Sequence, residues 1–272
     1  MKSIFRNAMI IACTSLFAVA CKRENVKPAQ EVSDAVLQKI EAQGFSSDNV
    51  HKVPEGYLVE GDIILTDKNL NEKSTSPTLI VANEEQYRTT NLVTSLPRVI
   101  TVSVSGTLTS LQVWSDATNA ALARYNALPN KRLTFTRVAS GGNIDIFGFN
   151  EGPSGGYITL GSSGFPSGGD PYNQIKLNTN TQAYGTNPNL DYVTSVIQHE
   201  MGHCIGFRHT DYMNRAYSCG GRRSNEGTAG VGAILIPGTP SKADPNSFML
   251  ACSNGGNRTF NANDLIAMDY LY

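Results

Sequence analysis

The sequence predicts an α+β fold, and three observations carry that expectation. Segments with two-residue alternation and segments with helical spacing follow as strand, helix, strands, helix, irregular loop and helix. The 25 glycines point to many turns and irregular loops between these segments. Three of the four histidines fall within eleven positions of one another, at the end of one predicted helix.

The elements can be justified in order. Near the N-terminus, Ser33 can cap a short helix that carries Val36, Leu37 and Ile40 on one face and stops at Gly44. Tyr57 to Leu65 reads as extended, and polarity rises from Thr66 to Pro77. A second polar stretch, Tyr87 to Ser95, is rich in Thr and Asn and sets a boundary at residue 96. Beyond it, Arg98 to Ser103 alternates as a strand. Leu111, Trp114, Ala117, Ala121, Leu122 and Tyr125 then keep helical spacing over 110–128, and Pro129 ends that run. Strands are predicted at Leu133–Val138, Ile144–Phe149, Tyr157–Leu160 and Gln174–Leu177. A helix over Leu190–Ile205 carries the histidines, Asp211 to Ser247 has no helical period, and a helix closes the chain over Ala262–Leu271. Asn261 and Asp264 stand where an N-cap and a first-turn carboxylate belong.

Composition narrows the function classes. With 40% hydrophobic and 17% charged residues, the chain can bury a real core. With a net charge of −1, nothing suggests the basic face that nucleic acid calls for, so no nucleic-acid partner is expected. A monomer is expected, although nothing in the sequence fixes the oligomeric state. Lys2 and Arg6 precede an apolar run, Ala8 to Ala20, too short to span a bilayer comfortably but suited to an export signal over residues 1–20. That run ends in Ala18-Val19-Ala20-Cys21. The ending resembles the lipobox of bacterial lipoproteins, with Ala18 where leucine is usual, and implies lipidation of Cys21 and a membrane anchor. An ordinary signal peptide cut near Ala20 is the alternative; both place the mature chain outside the cytoplasm, and the lipid anchor implies the outer membrane or cell surface. Apart from Cys13 and Cys21, the cysteines are Cys204, Cys219 and Cys252. An oxidising compartment permits one disulfide among three. Cys204 lies inside the histidine helix, which favours Cys219–Cys252.

The chemistry is concentrated in His199-Glu200-Met201-Gly202-His203-Cys204-Ile205-Gly206-Phe207-Arg208-His209. Histidines four apart share a helix face and can reach one ion. Gly206 can end the helix in a left-handed turn that returns His209 as third ligand. Three imidazoles leave a fourth tetrahedral position for water, as in a catalytic zinc site, although other divalent ions also fit. Glu200 stands where it can act as general base on that water.

His199, His203 and His209, spaced with Glu200 and Gly206 as above, resemble the metzincin zinc peptidases, most closely the bacterial dual-action HEIGH metallopeptidases, with Met201 in place of isoleucine. The resemblance covers Arg98 to Tyr272. It extends to Ser247-Phe248-Met249-Leu250 as a methionine turn under the metal, to Gly161–Asn178, and to a closing helix ending in DLIAMDYLY. It implies a metzincin-like domain over 97–272: a twisted mixed sheet, an active-site helix, a Met-turn at Met249 and a C-terminal helix. It also implies an edge strand over Gly155–Leu160 that pairs with extended substrate, and hydrolysis of extracellular proteins by one zinc ion. A structural calcium near Asp170, as in matrixins, lacks a cluster of carboxylates. Thr210 departs from the serine usual in matrixins.

Val59-Glu60-Gly61-Asp62-Ile63 resembles the aspartate motif of astacin pro-segments, in which the carboxylate binds the zinc. Residues 21–96 are therefore expected to be a tether and pro-segment with Asp62 as latency ligand, and cutting it would release the enzyme from its anchor. The alternative to a peptidase is a surface lipoprotein with a vestigial or structural zinc site and a binding role.

Overall fold

The computed structural model describes residues 32–43, 45–71, 86–129, 132–154, 156–222, 233–240 and 243–272. The export signal over 1–20, Cys21, the tether up to residue 31 and Gly44 lie outside them. The order is α1 (Asp34–Ala42), β1 (His51–Val53), β2 (Gly56–Val59), β3 (Ile63–Leu65), α2 (Asp67–Asn71), β4 (Tyr87–Arg88), β5 (Arg98–Val104) and α3 (Gln112–Asn126). After these come β6 (Leu133–Arg137), β7 (Ile144–Phe149), β8 (Gly161–Gly164), β9 (Gln174–Asn178), α4 (Thr181–Tyr184) and α5 (Leu190–Cys204). The last elements are α6 (Ala216–Cys219), β10 (Ile234–Leu235) and α7 (Ala262–Leu271). Among the described residues, no helix is long and apolar enough to cross a membrane.

The architecture is a mixed α+β sheet of eight strands in the order β1-β2-β3-β8-β9-β7-β5-β6. The pairs β9/β7, β7/β5, β5/β6 and β3/β8 are parallel, whereas β8/β9, β1/β2 and β2/β3 are antiparallel. Helices α3 and α5 pack on each other and against this sheet. Trp114, Ala117, Ala121 and Tyr125 of α3 are buried with Val193, Ile197 and Met201 of α5, the i, i+4 stripes that helical spacing predicts. Each large side chain so buried contributes about 1.5–3 kcal/mol.

Two predicted strands are displaced. The extended run Tyr57–Leu65 is broken into a hairpin, because Glu60 (φ 54°) and Gly61 (φ 87°) turn the chain between β2 and β3. The strand expected at Tyr157–Leu160 lies four residues later, at Gly161–Gly164. It is made of Gly and Ser, all buried, so that α5 can lie close against it. It is not an edge either, because β3 pairs along it, with Ile63 opposite Ser163 and Ile64 opposite Gly164.

Alternation explains how β3 is held. Ile63 and Leu65 enter a small cluster with Ile40, Phe45, Val59, Leu70 and Phe165, while Ile64 enters the main core. Residues 86–94, ahead of the boundary at 96, are bonded into the rest of the fold. Gln86 is fully buried, and its Nε2 donates to Ser247 Oγ (3.1 Å) and Asp264 Oδ1 (2.7 Å). Thr89 N–H donates to Gly206 O at 2.8 Å, and Val93 N–H to the Tyr272 hydroxyl at 3.2 Å.

Candidate metal centre

Helix α5 starts at Asn189, whose side chain accepts from Tyr192 N–H at 3.0 Å, and Asp191 adds a favourable charge in the first turn. His199 and His203 project from its last turns. The helix ends where Phe207 N–H reaches back to Gly202 O (2.9 Å) and Gly206 takes φ 110°, after which His209 returns to the same centre. His203 and His209 are fully buried.

Residues 248–249 lie against this helix because Gly202 has no side chain. A Cβ there would come within 2.5 Å of Met249 Sδ and 2.9 Å of Phe248 Cε2. The closeness has a use. Phe248 O is 2.9 Å from His199 Nδ1, and Met249 O accepts from Thr210 N–H at 3.0 Å, next to the third histidine. Phe207 O stands 2.8 Å from His203 Nδ1. With a carbonyl at Nδ1, each of these two rings keeps its proton there and presents a bare Nε2 to the centre.

The ligand atoms of His199, His203, His209 and Asp62 all lie within 4.8 Å of one another. Asp62 Oδ2 is 3.1 Å from His209 Nε2 and 3.6 Å from His199 Nε2, placed by the Glu60-Gly61 turn and by Ser163 N–H donating to Asp62 O at 2.8 Å. His203 Nε2 and His209 Nε2 are 3.2 Å apart. Two nitrogens about 2.0–2.1 Å from one zinc at a tetrahedral angle stand about 3.3–3.4 Å apart. His199 Nε2 and Asp62 Oδ1 are buried without hydrogen-bond partners. A cation at the centre satisfies these lone pairs, so the donor set fits zinc. Burial, helped by the neighbouring His199 and His209, lowers the His203 pKa well below its ordinary value, which keeps the ring neutral and able to ligate. Burial would raise the Asp62 carboxyl, but His209 and the other imidazoles together hold it well below its ordinary range.

Glu200 is buried beside the centre, and its Oε2 accepts from Ser163 Oγ at 2.7 Å. Its burial, and then the charge of Asp62, push its pKa well up. The structure thus brings together five of the residues singled out in the sequence: Asp62, His199, Glu200, His203 and His209. Met249 is fully buried under them. Cys219 and Cys252 are bonded to each other, and Cys204 is free and buried. Asp170 is exposed and paired with Arg98. Sequence reading missed Ser163, which sits in a strand without a periodic signal. It also missed the buried ion pair of Glu60 with Arg208.

A family model of the dual-action HEIGH metallopeptidases matches residues 57–272. The chain belongs to this family. It is a metallopeptidase, and the matched stretch of this HEIGH peptidase begins early enough to contain β3, Asp62 and all of β2 but Gly56. Among solved structures the HEIGH peptidase is similar to myroilysin, at 18% identity and TM-score 0.43, over 68% of this chain and 98% of that one. It is also similar to high choriolytic enzyme 1, a hatching enzyme zinc-protease from the medaka fish Oryzias latipes. That match has 15% identity and TM-score 0.37, over 64% of this chain and 88% of that one. No curated protein matches.

Proposed function

We propose that this metallopeptidase is a zinc endopeptidase held latent by its own N-terminal segment. The observation that carries the reading is the convergence of three imidazoles and the Asp62 carboxylate within 4.8 Å, with Glu200 buried beside them. His199, His203 and His209 would hold the ion. Zinc bound there supplies Lewis acidity, polarising a peptide carbonyl and lowering the pKa of a water towards about 7.

The remaining work belongs to the chain. Glu200 takes the proton of the attacking water and later returns it to the departing amine, so that no covalent intermediate with the enzyme is needed. A carboxyl pushed upward by burial is suited to carrying that proton between the two steps. Ser163 holds the Glu200 carboxylate by its 2.7 Å hydrogen bond, and Phe248 O and Phe207 O fix the rings of His199 and His203.

Latency is supported by two features of one strand. Asp62 lies against His199 and His209, where a water would otherwise be held. Strand β3 covers β8, the strand along which an extended peptide could pair by strand addition. The same reading takes residues 1–20 as an export signal and Cys21 as the lipidated anchor, with extracellular protein as substrate. The Cys219–Cys252 disulfide fits an oxidising compartment.

The test is zinc content together with casein hydrolysis for the full chain, Asp62→Ala and Glu200→Ala. The expected result is one zinc per chain in all three and activity raised in Asp62→Ala. Zinc bound without hydrolysis, even after the N-terminal segment is cut, would reject the reading. Radiolabelled palmitate incorporated by the parent and not by Cys21→Ser would establish the anchor.

A further inference from the structure

The metal centre opens into a cleft of about 880 Å³. On one side of His199 the cleft runs along α5, past Val196, Ser195 and Tyr192, so it reaches back about two helical turns from the first ligand. The chain that follows Met249, from Leu250 to Ser253, lines the same cleft, as does Arg258. The backbone N–H of Arg258 donates to Ser195 Oγ at 2.8 Å, one turn of α5 before His199.

The Arg258 side chain is half-buried in this pocket. Its guanidinium donates from Nη1 to Cys252 O at 2.9 Å, and its Nε is buried without a hydrogen-bond partner. Among the described residues no carboxylate stands within ion-pair distance of it. Asp211, whose charge it feels, is already engaged: Oδ1 accepts from Ala251 N–H (2.9 Å) and Oδ2 from Ser218 Oγ (2.5 Å). Tyr192, the other titratable neighbour, is a phenol raised by burial and so neutral. Outside the N-terminal segment, the charged side chains lining the cleft are Arg215, Arg222 and Arg258 against Glu151 and Glu200, with His199 at the metal.

We propose that Arg258 makes this pocket select an acidic side chain, Asp or Glu, on a substrate residue flanking the bond that is cut. The inference rests on the peptidase reading and adds the substrate class to it. A cation already desolvated on one face, and short of hydrogen-bond partners, gains more from a carboxylate than from a neutral side chain. The carboxylate would receive the guanidinium N–H groups left over from Cys252. Residues such as Leu250 and Val196 bury the methylenes of the same side chain.

The test uses the full chain loaded with zinc and opened by limited proteolysis in its N-terminal segment. It is given paired peptides that differ only by Glu or Gln at each position around the cut, and a mixed library read by mass spectrometry. The expected result is a Glu over Gln preference of about 10- to 100-fold in kcat/KM at one position. Arg258→Ala should bring that ratio to near one, and Arg258→Glu should shift the preference to Lys or Arg. Fluorescence anisotropy of the uncut peptides on the opened Glu200→Ala chain should give the same preference in Kd. No acidic preference in the parent overturns the proposal, and so does an equal loss on both peptides in Arg258→Ala, which would make the arginine a prop for the 252–258 loop. Failure of the zinc-loaded, opened chain to cut any peptide would instead count against the peptidase reading, while the anisotropy ratio still decides the charge preference.

Discussion

The N-terminal segment (34–71) and the body that begins at Gln86 are built on opposite economies of contact. The body supplies nearly all of the main core between α3, α5 and the sheet, to which the segment adds Ile64. The segment closes a cluster of seven buried side chains, one of which, Phe165, belongs to the body. Phe165 meets Phe45 of the segment (5.8 Å between centroids) and His203 of the metal centre (5.5 Å). The difference teaches that the segment is ordered by what it docks on: β3 pairs with β8, Ile64 enters the main core, and Asp62 lies at the metal centre.

Four predictions follow that comparison from the largest expected effect to the smallest. Glu200→Ala should lower casein hydrolysis by the opened chain about 10²- to 10⁴-fold while its thermal midpoint and zinc content stay put, so the chemistry fails and both regions stand. Glu60→Gln should weaken the docking of the segment by up to about 3–5 kcal/mol, since it removes the charge buried against Arg208. Hydrogen exchange in β3 should then accelerate while that of α3 and α5 does not. Equal acceleration in all three would mean the two regions are one cooperative unit.

The third prediction concerns Asp264, under the body. Burial raises its pKa from 3.8 to about 6, against hydrogen bonds from Asn261, Phe248, Ser247 and Gln86. An acid raised in the folded state binds its proton more tightly folded than unfolded. Its contribution is fully present below pH 3.8 and is lost as pH rises through about 6, roughly 3 kcal/mol over that window. Asp264→Asn should flatten this part of the stability profile, measured by urea unfolding between pH 4 and 7. The smallest effect is expected from Gln86→Ala, which loses two buried hydrogen bonds and about 1–3 kcal/mol, and moves the Asp264 step to higher pH. A chain starting at residue 91 should lose at least as much, and one starting at 72 should not.

Legibility in the sequence followed the range of the interaction. The zinc-binding helix could be read because four-residue spacing and a helix-ending glycine are local rules, and so could the capping box of Asn261 and Asp264. β8 could not, because Gly-Ser-Ser-Gly has neither alternation nor bulk; its strand state comes from β3 and β9 on either side. Gln86 lies 161 positions from Ser247 and 178 from Asp264, so nothing near it announced a buried amide. Nothing local to Arg208 in the metal motif announced its partners, because only the fold brings Glu60 and the Phe45 ring (4.4 Å) onto it.

The Cys219–Cys252 bond, 33 positions apart, has a further meaning for a chain whose family cuts peptides. At the concentrations where such molecules meet one another, each is also a target. A single nick anywhere between the two cysteines would leave both fragments covalently joined, with Met249 still tethered through Cys252 to the half that carries the histidines. The bridge therefore makes that stretch a place where the molecule can be wounded once by its own kind and stay in one piece.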